Sequence, residues 1–149
     1  MGLQIGKRIK KWLLLILLGL IPLFTGIIAL GKDAPTYSGR SNPERIAFLE
    51  HCGWEVAELP TATGRVQIPL EFDDVYRNYN QIQRKQGFDL EKYAGKAVER
   101  YQYAVTNYPN YSGEVRANLL IFDGKIIAGD ICSLELGGFM HGIMQESGE

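Results

Sequence analysis

Asp130, Cys132 and His141 stand together in one glycine-rich run, GDICSLELGGFMHG over residues 129–142, and His51 and Cys52 form an adjacent pair far upstream. A thiol, an imidazole and a carboxylate are the parts of a nucleophilic cysteine site, with the histidine as base and the acid as orienter. Two cysteines and two histidines are also a zinc ligand set, and two cysteines alone allow one disulfide, Cys52–Cys132. Spacing separates these readings. Closed zinc sites draw ligands in close pairs such as C-x2–4-C. Adjacent His51 and Cys52 on a helix would instead point about 100° apart, and Cys132 and His141 lack matching partners, so no metal is expected. Asp130 and Cys132, two apart on a strand, share a face, which suits catalysis. No recognised nucleophile signature surrounds them, however, and a small buried cysteine on a sheet is the plainer role. The expectation is therefore no catalytic residue and no cofactor, with Cys132, His141 and Asp130 as the alternative set. A Cys52–Cys132 bridge stays open beside two reduced, buried cysteines; by chain entropy such a long loop would stabilise by about 4–5 kcal/mol.

Other chemistry-bearing residues have bland readings too. Tyr76, Tyr79, Tyr93, Tyr101, Tyr103, Tyr108 and Tyr111 could line a sugar- or peptide-binding face, but tyrosines on half-buried elements are more often the margin of a core. The sequon at Asn110 also fits a turn. Gly137–Gly138 could cradle an anion in backbone amides, but a tight turn is the plainer reading.

The elements that would position these residues follow from periodicity. SNPERIAFLEHCG reads as a helix with Asn42 capping, Pro43 at its first position and Gly53 as the left-handed stop; Ile46, Leu49 and Cys52, with Phe48 beside them, form its buried stripe. WEVAELP is a short strand candidate. RVQIPLEF alternates Val66, Ile68, Leu70 and Phe72 as a strand that Pro69 confines to an edge. Asp73 caps a second helix that ends at Gly87, with Val75, Tyr79, Ile82 and Gln86 on one face. FDLEKYAG repeats this logic in miniature from Asp89 to Gly95. The period then changes to two: Tyr101, Tyr103 and Val105 share a face, as do Val115, Ala117, Leu119 and Ile121, and Asp123–Gly124 is a hairpin signal before KIIAGDICSL. The fold class is α+β: an antiparallel meander of three or more strands packed by two or three helices.

The N-terminal third concerns location. Trp12 to Leu30 is a run of 19 residues without charge, about 28 Å as a helix and close to the hydrocarbon thickness of a bilayer. Lys7, Arg8, Lys10 and Lys11 precede it, so residues 1–31 carry +4, whereas the remainder has 12 basic and 17 acidic residues. That bias orients the N-terminus inward and the body outward. The organisation reads as a basic cytoplasmic segment (1–11), a single-pass signal anchor (12–30), a linker (31–41) and an extracytoplasmic domain (42–149). Secretion after cleavage of the segment is the alternative, although its apolar run is longer than a signal peptide needs. An acidic body without a basic stripe excludes a nucleic-acid partner, since phosphate neutralisation needs clustered cations.

FLEHCGWEV, IPLEFDDVYRNYNQIQRKQGFDLEKYAGK, YAVTNYP and RANLLIFDGKIIAGDICSLELGGFMHG, together spanning Phe48 to Gly142, resemble the family catalogued as domain of unknown function 4830. The resemblance implies an exported, membrane-tethered setting in a Gram-positive bacterium and assigns no activity, cofactor or catalytic residue. The functional expectation is a membrane-anchored, non-enzymatic extracytoplasmic module for binding, sensing or envelope assembly, with a membrane or envelope protein as partner. The alternative is a small cysteine-dependent enzyme or thiol-redox protein that uses Cys132.

Overall fold

The computed structural model describes residues 36–144. Its centre is a six-stranded antiparallel sheet with one α-helix on each face. The strands are β1 (Tyr37–Ser38), β2 (Ala62–Gln67), β3 (Ala97–Ala104), β4 (Val115–Phe122), β5 (Lys125–Ser133) and β6 (Met140–Gly142); the helices are α1 (Asn42–His51) and α2 (Asp74–Lys85). The spatial order is β1-β5-β4-β3-β2, and β6 joins β1 on the outer edge of β5. The expected meander is the β3-β4-β5 centre of this sheet. The expected basic segment and signal anchor at 1–30 lie outside the described residues; within those residues no helix is long and apolar enough to cross a membrane.

Two helices on one face would not suffice, because β4 is apolar at four successive positions, Leu119 to Phe122, and so presents apolar side chains to both sides. Phe48 and Leu49 of α1 pack on Ala117, Leu119, Ile121 and Ile131, with Trp54 and Tyr103 alongside. The opposite core joins Leu120, Ile127, Ala128 and Val98 to Ile68, Leu90 and the rings of Tyr76 and Tyr79. These are called the α1 face and the α2 face below.

Local signals account for the helix ends. Ser41, one residue before the expected cap, closes α1 in a reciprocal capping box with Glu44, which satisfies amides that the first turn leaves free. Gly53, at φ 89°, ends the helix as expected. Leu49 is fully buried, Ile46 and Cys52 only partly, and the stripe also carries Arg45. That guanidinium lies 3.7 Å over the Tyr101 ring and donates to the Tyr103 hydroxyl and the Gly39 carbonyl, each at 2.8 Å. It thereby fixes the segment entering the domain: Tyr37–Ser38, inside the expected linker, pairs with Ile126 and Lys125.

In α2 the expected apolar face is rotated. Val75 is 76% exposed, whereas Asn80 and Gln83 are buried. The reason lies on the sheet edge. Gln83 Oε1 accepts from the Gly129 amide at 2.9 Å, and Gln86 Nε2 donates to the Gly129 carbonyl at 3.0 Å. Gln86 Oε1 also accepts from the amides of Ile143 and Met144. Two amide side chains thus fill the gap between β1 and β6, where β5 would otherwise bury unpaired backbone.

Two strand expectations change. WEVAELP contributes a lone bridge, Val56 to Val105, and β2 begins at Ala62 and ends before Ile68, leaving Leu70 exposed. FDLEKYAG forms a 3-10 turn, Leu90–Tyr93, capped by Asp89 as expected.

Candidate functional site

The geometry of the 129–142 run is set by a bulge. Asp123 and Gly124 at φ 48° and 71° make the two-residue hairpin turn expected of that dipeptide, so Phe122 faces Lys125 and Ile121 faces Ile126. The register then jumps, Leu120 faces Ala128, and Ile127 is the extra residue. One inserted residue exchanges the faces of everything beyond it. Asp130 therefore faces Asn118, and Cys132 faces Arg116, on the α2 face.

There Asp130, only 2% exposed, accepts from the Tyr79 hydroxyl and from Asn118 Nδ2, both at 2.8 Å. Asn118 Nδ2 also lies 3.4 Å from Cys132 Sγ, and Asn118 Oδ1 accepts from Gln102 Nε2 at 3.0 Å. Helix α2 and three adjacent strands thus share one polar network. Burial pushes the Asp130 carboxyl above its usual range, opposed by the bonds from Asn118 and Tyr79 and, more weakly, by the charges of His141 and Arg100. Burial, reinforced by Asp130, raises Tyr79 well above an ordinary phenol. Burial and then Asp130 raise the Cys132 thiol, against the hydrogen bond from Asn118. A thiol shifted this way is less ionised at neutral pH and a poorer nucleophile.

His141 is not its base. It pairs with Ile131 across β5 and β6, and directly opposed residues share a face, so its ring lies on the α1 face while Cys132 lies on the other. It belongs to an aromatic stack: Phe139 and His141 centroids are 5.7 Å apart, Tyr108 and Phe139 4.7 Å, and Trp54 and Tyr108 5.6 Å. His141 Nδ1 lies 2.8 Å from the Gly142 carbonyl. A carbonyl only accepts, so Nδ1 carries a proton, and Nε2 shares a hydrogen bond with the Tyr108 hydroxyl at 3.0 Å. Both ring nitrogens are spent. Trp54 Nε1 closes the stack on the Ile143 carbonyl at 2.6 Å.

The alternative catalytic set is thus divided: Asp130 and Cys132 come together, and His141 stands across the sheet from them. The Cys52–Cys132 bridge is separated in the same way. Cys52 packs into the α1-face core, burial pushes its thiol up to about 11, and both cysteines are free. His51 is exposed beside Tyr37, with ring centroids 6.4 Å apart. Among the described residues no three His, Cys, Asp or Glu side chains gather as a metal site. Asn110, at φ 55°, sits in a turn, as does Gly137 at 74°.

Asn118 and Gln102 are the network members that sequence reasoning passed over, and it places Tyr79 only among the tyrosines and on a helix face, without its bond to Asp130. Asn118 carried a faint signal, as an amide interrupting the apolar strand RANLLIF.

The match to the family described as a domain of unknown function (DUF4830) covers residues 48–131, more than half of the chain, and the chain belongs to that family. The match includes α2, β3, β4 and the residues Tyr79, Gln102, Asn118 and Asp130, and it ends one residue before Cys132. No curated protein and no solved structure matches the chain.

Proposed function

We propose that this chain is a membrane-anchored extracytoplasmic binding domain without catalytic activity, and that it binds through the polar part of its α2 face around Gln102, Asn118 and Arg116. The observation that carries this reading is the Asp130 network. A buried carboxylate locks Asn118 from below, and Asn118 locks Gln102, so the partly exposed amides beside Cys132 and Arg116 are held rigid. Groups fixed before an encounter lose little entropy on binding, whereas a reacting thiol would need a lowered pKa and a base within reach. The anchoring half of the proposal rests on the uncharged run from Trp12 to Leu30 and the basic cluster before it. The partner is a membrane or envelope protein.

A photo-crosslinking residue at Gln102, on this face, is compared in intact membranes with one at Glu99, on the opposite face of the same strand. A discrete adduct from position 102 that position 99 does not give supports the reading. Equal or absent adducts contradict it. Protease added to intact protoplasts should degrade the domain; protection until lysis would place it on the cytoplasmic side.

A further inference from the structure

The link between β5 and β6 carries Leu134, Glu135 and Leu136, and Met140 opens β6. Among the described residues six large apolar side chains are exposed, and three of them lie here: Leu134 and Met140 are about half exposed and Leu136 fully. Single apolar residues on a surface are ordinary, whereas a cluster on one short link marks a contact.

The link is not loose. A loop free to move would lay its leucines on neighbouring apolar side chains. Here the Leu134 amide donates to the Glu114 carbonyl at 3.1 Å, the Gly138 amide to the Glu135 carbonyl at 3.0 Å, and the Ser133 amide to the Phe139 carbonyl at 3.1 Å. The Phe139 amide donates to Ser133 Oγ at 3.2 Å. Gly137 takes a left-handed φ of 74°, and a Cβ on Gly138 would fall 1.7 Å from Ser133 Oγ. The backbone thus holds both leucines out in water, and an anchor already ordered loses little entropy on binding.

Position ties this turn to the face proposed above. Met140 stands opposite Cys132, and Cys132 opposite Arg116. Directly opposed residues share a face, so these three form the row next to Gln102 and Asn118. We propose, resting on that binding role, that the 134–136 turn is its apolar anchor: Leu134 and Leu136 enter an apolar pocket of the partner protein, and lysine or arginine on the rim of that pocket meets Glu135.

Charge selects a protein over a lipid surface. Glu135 stands between the leucines, is exposed, and makes no ion pair among the described residues. Segments that enter an anionic lipid surface carry lysine and arginine beside their apolar residues. This turn would instead draw a carboxylate into the headgroups. A protein pocket can set a cation at that point, and such a rim pair fixes register.

The test uses the full chain in intact membranes, with the photo-crosslinking residue at Gln102. Burying one leucine is worth roughly ten- to a hundredfold in affinity. Leu136→Ser and Leu134→Ser should therefore each cut the adduct about tenfold or more, while Leu70→Ser, an exposed leucine outside the turn, leaves it unchanged. Glu135→Lys should cut it more than Glu135→Gln. A crosslinker at Leu136 should reach the same partner, at a segment that carries lysine or arginine. An adduct from position 102 that survives Leu136→Ser overturns the anchor and leaves the binding face standing. An adduct from 136 that Glu135→Lys abolishes, without one from 102, keeps the anchor and removes the face. No adduct from either position overturns both, and an adduct of twice this chain's mass overturns the partner in favour of a second copy. For lipid, Leu136→Cys in a Cys52→Ser, Cys132→Ser background is labelled with an environment-sensitive dye. Placed without partner in vesicles of phosphatidylglycerol and phosphatidylethanolamine, the dye should stay open to aqueous iodide. A dye shielded in those vesicles would make lipid the occupant and overturn the proposal.

Discussion

Removing a single oxygen from the Asp130 network should weaken the domain in a pH-dependent way. Tyr79→Phe keeps the ring packed against Tyr76, 5.9 Å away, and deletes only the hydroxyl that donates to Asp130 Oδ2 at 2.8 Å. A hydrogen bond to a charged group contributes about 1.5–3 kcal/mol. With a urea slope of about 1–3 kcal/mol/M, the midpoint at neutral pH should fall by on the order of 1 M. The sign of the pH dependence follows from Asp130. Its folded carboxyl is raised by burial, so its contribution is most favourable below the unfolded pKa and is lost as pH rises through the folded value. Tyr79 and Asn118 hold the charged form. Deleting the hydroxyl raises the folded value further, so the penalty is greatest above the folded value and shrinks as pH falls through it. Glu44 and Asp89, both lowered, lose stability over that range in parent and variant alike and cancel in the difference. The assay is urea denaturation of the fragment 34–149, followed by tryptophan fluorescence, at several pH values. An unchanged midpoint at neutral pH, or a penalty that grows on acidification, would refute a buried carboxylate held by Tyr79.

The fragment lacking residues 1–33 should fold and stay soluble, as circular dichroism and gel filtration would show, because the sheet and both helices are built from residues 37–142. Leu49→Ala empties a site at 0% exposure between α1 and the sheet and should cost about 3–5 kcal/mol in the same denaturation assay. Gly129→Ala puts a Cβ 3.0 Å from Ile143 Cγ2 and should cost about 1–3 kcal/mol by overpacking; the melting temperature reads it. Gln86→Ala strips the acceptor from the Ile143 and Met144 amides. Hydrogen exchange there should then accelerate before that of β4 does.

Much of the frame was legible because it rests on local rules. The α1 stop at Gly53, the Asp73 cap and the Asp123–Gly124 turn each follow from what one or two residues can do with backbone. Strand alternation placed Val115, Ala117, Leu119 and Ile121 on one face, where they lie. The site was not legible, for a definite reason. A regular hairpin from Asp123–Gly124 would set Asn118 opposite Gly129 and leave Asp130 on the α1 face. The extra Ile127 reverses this, and nothing in the composition of KIIAGD marks the bulge. The α2 error has a different origin. Gln83 is buried because Gly129 needs partners, and such a demand is set by tertiary structure, which helical periodicity does not record. Strands β1 and β6, two and three residues long, are too short for alternation to show.

On the proposed reading the 129–142 run is a structural element whose cysteine is held inert. The alkylation rate of Cys132 against pH in a Cys52→Ser chain decides it. Burial and Asp130 raise this thiol, and His141 lies across the sheet with both nitrogens engaged. The rate should therefore be slow at neutral pH, rise only above the ordinary thiol range, increase on unfolding and be unchanged by His141→Ala. Rapid modification at neutral pH that His141→Ala abolishes would reveal an activated thiolate and would make the cysteine-dependent enzyme the better account.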